Sequence, residues 1–157
     1  MKKFVCLVMA LILTLSLPCN AFAAETSAAL AQPVFSGEYV ELSDRPYEGT
    51  IIPRATLTLT MSNLQPNWVV LSDETYYISD DSSMINITSS TWSPASCNIS
   101  VGWYSYETTK MYRVTYSGGS TGARSITSEG VPAGNYKVFV LNRGNQNVTG
   151  AVQYYVV

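Results

Sequence analysis

The sequence predicts an all-β protein, an antiparallel β-sandwich, and three observations carry that prediction. Runs of period-two alternation recur every 10–15 residues from Ala55 to the end of the chain. Turn-forming residues separate them: Ser93-Pro94, Ser117-Gly118-Gly119, Val131-Pro132-Ala133-Gly134 and Asn142-Arg143-Gly144-Asn145. No window beyond the first 23 residues holds a period of 3.6, the spacing an amphipathic helix would need.

The chain of 157 residues opens with a signal-peptide pattern over residues 1–23. Lys2 and Lys3 are followed by an apolar stretch from Phe4 to Leu17 and the cleavage-type triplet Ala21-Phe22-Ala23. That stretch is shorter than the roughly 20 residues a bilayer-spanning helix requires, so the expectation is an exported protein with no transmembrane segment, either released or held at the cell envelope. The short dibasic signal points to a bacterial source. Residues 24–50 read as a mobile leader with a possible first strand over Val34–Leu42, broken by Asp44-Arg45-Pro46 and Gly49. Residues 51–157 read as the sandwich domain.

Within that domain each run has an assignable face. Ala55–Met61 alternates apolar and hydroxyl side chains, and Ile85 and Ile87 share a face in Met84–Thr88. In Cys97–Trp103, the residues Cys97, Ile99, Val101 and Trp103 face one way, which places Tyr104 and Tyr106 on the other. A one-residue slip would exchange Trp103 and Tyr104. Tyr112, Val114 and Tyr116 oppose Met111, Arg113 and Thr115; Tyr136, Val138 and Val140 align on Gly134–Leu141, and Val148, Val152, Tyr154 and Val156 on Val148–Val156.

Composition excludes several function classes. There is no histidine, which removes Ser-His and Cys-His catalysis and histidine-ligated zinc. Lys2 and Lys3 leave with the signal peptide, moving the formal charge from −2 to −4; nucleic acid and anionic membrane are therefore not expected partners. Cys6 and Cys19 leave as well, and Pro18 stands where a lipoprotein signal has a small residue. The remaining Cys97 lies on an apolar strand face with no basic neighbour, as a buried thiol would. The glycine-rich run Ser117–Gly122 leads into another short strand, not the helix a phosphate cradle needs.

Val131-Pro132-Ala133-Gly134-Asn135-Tyr136-Lys137-Val138-Phe139-Val140 resembles the P-A-G-x-Y-x-V-x-V segment of bacterial pre-peptidase C-terminal domains and related jelly-roll modules. In style the chain is similar to small secreted sandwich proteins of Gram-positive bacteria. The resemblance implies a jelly-roll-like sandwich, Ile99–Tyr104 as a central strand, and a penultimate strand that pairs with the last one, Val148–Val156. It also implies binding without naming a ligand.

Two constellations are candidates for chemistry. Asp73, Glu74, Asp80 and Asp81 supply four carboxylates, the hard oxygens calcium takes, but an extended chain would set Asp73 and Asp80 about 23 Å apart. A solvated turn is the first reading there, with calcium an option and no other cofactor expected. Trp92, Tyr104 and Tyr106 form the aromatic candidate: exposed tyrosines give rigid apolar rings with polar tips, suited to carbohydrate or protein surfaces. Glu38, Glu41, Glu107 and Glu129 offer no recognisable carboxylate pair, so no enzyme is expected. The functional expectation is a noncatalytic binding or adhesion module. The alternative is a self-associating structural or envelope-assembly subunit, suggested by the apolar run Tyr154–Val157; a glycan-active hydrolase ranks third.

Overall fold

The computed structural model describes residues 31–33, 37–47, 49 and 56–157; the signal-peptide reading of residues 1–23 lies outside them. None of the described residues is helical. In chain order the strands are β1 (Gln32–Pro33), β2 (Tyr39–Glu41), β3 (Asp44–Pro46), β4 (Leu57–Leu64), β5 (Trp68–Leu71), β6 (Tyr76–Ile78), β7 (Met84–Ser93), β8 (Ile99–Ser105), β9 (Met111–Tyr116), β10 (Ser120–Thr121), β11 (Arg124–Thr127), β12 (Gly134–Asn142) and β13 (Val148–Val156).

They form two facing sheets. The first runs β1-β5-β12-β8-β9-β2, with β6 also paired to β12; the second runs β3-β11-β7-β13-β4, with β10 also paired to β7. Every pairing is antiparallel except that of β2 with β9. The main core fills the space between the sheets, as period-two strands require. Trp103, Val101, Val138 and Val140 come from the first sheet, and Met61, Ile85, Val152 and Tyr154 from the second. Trp103 is fully buried and meets the Tyr76 ring edge-on at 6.2 Å. The inward register of Trp103 therefore holds, and so does the burial of Cys97. Gly102 sits where a Cβ would run into the Tyr112 carbonyl oxygen, so β8 and β9 approach closely only because that position carries no side chain.

Three findings depart from the sequence reading. The stretch assigned to a leader is not separate from the sandwich, because β1 and β2 cap opposite edges of the first sheet and β3 caps one edge of the second. Backbone bonds Leu42 N to Arg113 O (2.7 Å) and Met111 N to Glu38 O (3.1 Å), with ion pairs Glu38–Lys110 and Glu41–Arg113 at 2.7 Å each, hold β2 in place.

The last two strands do not pair. β12 lies in the first sheet and β13 in the second. The crossing is organised by the buried Asn142, whose Nδ2 donates to the carbonyls of Leu64 and Gln146 and whose Oδ1 accepts from Gly144 N, all at 2.8 Å. The apolar run Tyr154–Val157 is tied to the second sheet: Tyr154 pairs with both β7 and β4, and Tyr155 and Val156 pair with β7.

Finally, the outer face of the first sheet is not uniformly wet. Val69, Leu71, Met111, Phe139 and Leu141 form a second buried cluster there, with Tyr104 packed against it.

Candidate functional site

The tight β8–β9 connection sets the candidate site. Ser105 N donates to Lys110 O at 3.0 Å, Thr108 N bonds the Ser105 hydroxyl at 3.3 Å, and Thr109 turns the chain at φ 56°. Alternation then brings Tyr104 and Tyr106 onto the outer face of the first sheet. Their rings meet edge-to-face, centroids 5.1 Å apart at 73°. Tyr104 is half-buried over the second cluster, while Tyr106 stands 54% exposed.

Beside them lies a groove of about 320 Å³. Val69, Leu71 and Met111 contribute the apolar floor, Tyr104 and Tyr106 the aromatic wall, and Gln32, Pro33 and Thr109 the rim. None of these eight residues carries a charge at neutral pH. A cation beside this wall is Lys137, whose position pairs with Tyr104 across the ladder. Its ammonium donates to the carbonyls of Ser72 (2.8 Å) and Asp73 (2.9 Å) and sits 6.0 Å from the Tyr106 ring centroid. The lysine is therefore engaged in holding the β5–β6 connection and steadying Tyr106. Burial, and then the neighbouring Tyr106, push the Tyr104 hydroxyl above the usual tyrosine range, so it stays a neutral donor and acceptor.

Compared with family models, curated proteins and solved structures, this chain matches none.

Trp92 does not join the two tyrosines. It lies on β7 in the other sheet, 5% exposed, packed in the main core, with Nε1 donating to the Cys97 carbonyl at 2.7 Å. Its place near Tyr104 in sequence misleads because the chain changes sheets between β7 and β8.

The four carboxylates are divided by β6. Glu74 accepts a 2.7 Å bond from the Tyr76 hydroxyl at one end; at the other, Asp80 accepts from the Ser82 backbone N–H and hydroxyl. Those bonds hold the Asp80 carboxyl below its ordinary range. Asp73 and Asp81 are exposed beside them. Among the described residues no group of three or more metal-ligating side chains comes together.

One feature of the outer face was not foreseen. The Tyr39 ring has two guanidinium groups over it, Arg113 at 4.0 Å and Arg143 at 5.4 Å from its centroid. Arg113 also binds Glu41 Oε1 through Nε (2.8 Å) and Nη2 (2.7 Å), which makes a buried charge tolerable. The only signal in the sequence is that Tyr39 and Glu41 share a period-two face; their partnership with Arg113 depends on a parallel pairing 72 residues away.

Proposed function

We propose that this chain is an exported, noncatalytic binding module that takes a neutral saccharide in the groove beside Tyr104 and Tyr106. The observation that carries the reading is the uncharged, aromatic-walled groove of about 320 Å³. That size is at the lower end of small-molecule sites, roughly 300–1,000 Å³. A sugar ring presents C–H faces that stack on a tyrosine and hydroxyls that bond neutral amides and hydroxyls. Gln32, Thr109 and the two phenols supply that chemistry, and nothing in the lining favours an ionised ligand.

The fold supports the same reading. Taken in chain order, β4, β5, β7, β8, β9, β11, β12 and β13 are eight strands whose order is 6-3-8-1 in one sheet and 2-7-4-5 in the other. We read this as a jelly roll, an architecture common among lectin domains. The segment at Val131–Val140 suggests a jelly-roll-like sandwich too, although the pairing of the last two strands that it implies does not occur, and fold alone assigns no ligand. Export rests on the pattern of residues 1–23.

The test is retention of the released, full-length secreted product on insoluble neutral glycans, with charged glycans and matrix proteins in parallel. Tyr106→Ala is expected to weaken retention about 10-fold or more, the effect of removing a central aromatic contact. Tyr104→Ala/Tyr106→Ala should abolish it. Tyr77→Ala serves as control, since Tyr77 is 68% exposed but lies outside the groove. Retention should be unchanged by chelator. If no neutral glycan is held, or the double variant binds like the parent, the reading is wrong.

A further inference from the structure

The two sheet orders end on β1, β2, β3 and β4; the first three are short strands from the N-terminal third of the chain, and β6 and β10, which pair with β12 and β7 beside those paths, are short as well. β1 has two residues, β2 three, and β3 three including Pro46. Short edge strands and edge prolines are the ordinary devices against unwanted strand pairing. The fourth edge is different. β4 ends the second sheet with eight residues, Leu57-Thr58-Leu59-Thr60-Met61-Ser62-Asn63-Leu64, and contains no charge, proline or glycine. Among the described residues, β13 is its only strand partner.

We propose that β4 is an interaction surface for a second copy of this chain, joined edge to edge across a two-fold axis into one continuous sheet. The pattern of β4 selects that occupant. Thr58, Thr60 and Ser62 are exposed on one face, while Leu59 and Met61 point into the core. An antiparallel register that sets Thr60 opposite Thr60 of the second copy sets Thr58 opposite Ser62. Every exposed cross-strand pair is then hydroxyl on hydroxyl, a favourable combination, and Leu59 meets Met61 beneath them. No like charges are brought together, although the chain as a whole is acidic. A two-fold contact of this kind is self-complementary and closed, so it yields a dimer instead of a fibre. Toward Asn63 (φ 56°) the ladder with β13 shifts register between Val148 and Gly150, which limits regular pairing to the Thr58–Ser62 stretch.

Sedimentation equilibrium of the full-length secreted product should show mass rising with concentration to twice the monomer value and no further. Thr58→Lys/Thr60→Lys, both at exposed positions, should remove that rise, because lysines on an edge repel their copies. Thr91→Lys, an exposed site in the interior of the same sheet, should leave it intact. Thr60→Cys supplies an independent readout. Opposed residues in an antiparallel pair lie about 4.5–5.5 Å apart at Cα, within disulfide reach of about 4.4–6.8 Å. Oxidation should therefore link Thr60→Cys into a dimer and leave Thr91→Cys monomeric. A parent that stays monomeric throughout, or a lysine variant that still dimerises, would overturn the proposal. So would equal cross-linking at both cysteine sites.

Discussion

The two buried tryptophans show how little a residue's identity says about its part in the structure. Trp92 and Trp103 both fill the core, but their indole N–H groups differ. Trp92 Nε1 bonds the Cys97 carbonyl at 2.7 Å, whereas Trp103 Nε1 is buried with no hydrogen-bond partner. Removing one partner of a buried hydrogen bond costs about 1–3 kcal/mol for the group left behind. Trp92→Phe orphans the Cys97 carbonyl and should lower unfolding stability by about that amount beyond the volume it loses. Trp103→Phe orphans nothing, and relieves an unsatisfied donor. Urea titrations should therefore rank Trp103→Phe as the milder change despite its deeper burial. The sequence placed Trp103 correctly because its neighbours alternate; Trp92, at the end of a hydroxyl-rich run, offered no such pattern.

At the scale of elements, strands whose residues alternate in type along the sequence were the legible ones. β8, β9, β12 and β13 fall within two residues of the alternating runs, and β13 coincides with Val148–Val156. β5 was not foreseen. Its run Trp68-Val69-Val70-Leu71 is apolar throughout, since Val70 faces the main core while Val69 and Leu71 face the outer cluster. A strand buried on both faces loses the period-two signal. Sheet membership was equally hidden. At the crossing from β12 to β13 sits Asn142, which bonds the Leu64 carbonyl of β4 and, within the crossing loop, the Gln146 carbonyl and Gly144 N–H. Asn142→Ala would take the amide donor from the Leu64 carbonyl and leave the Gln146 carbonyl with only the weak thiol donor of Cys97 at 3.8 Å. A loss of about 1–3 kcal/mol in chemical denaturation is expected, with the excess over a surface Asn→Ala control at Asn145 as the measure.

For the whole molecule, the distribution of tyrosines sets its response to alkali. Burial pushes the hydroxyls of Tyr76, Tyr116, Tyr136 and Tyr154 upward, and at Tyr76 the bond to the Glu74 carboxylate adds to the effect. In the unfolded chain these groups ionise near pH 10. A raised folded value means that the unfolded state releases protons first, so stability is complete below about pH 10 and falls as pH rises above it. Thermal melts should show a flat plateau through neutral and mildly alkaline pH followed by a decline. Tyr76→Phe should make that decline shallower, because one of the groups driving it is gone.

The order of polar and apolar residues by itself determined that this chain is all-β, that Trp103 and Cys97 face inward, and that Tyr104 and Tyr106 face away from them. Those are local properties: they follow from the two-residue repeat of an extended backbone and need no partner strand. Tertiary structure decided the rest. It buried Trp92, paired Gln32–Pro33 and Tyr39–Glu41 into the first sheet and Asp44–Pro46 into the second, and set Gln32 and Pro33 beside Tyr106 to complete a groove. Each of these depends on which strands become neighbours, and that is settled by contacts between residues far apart in the chain.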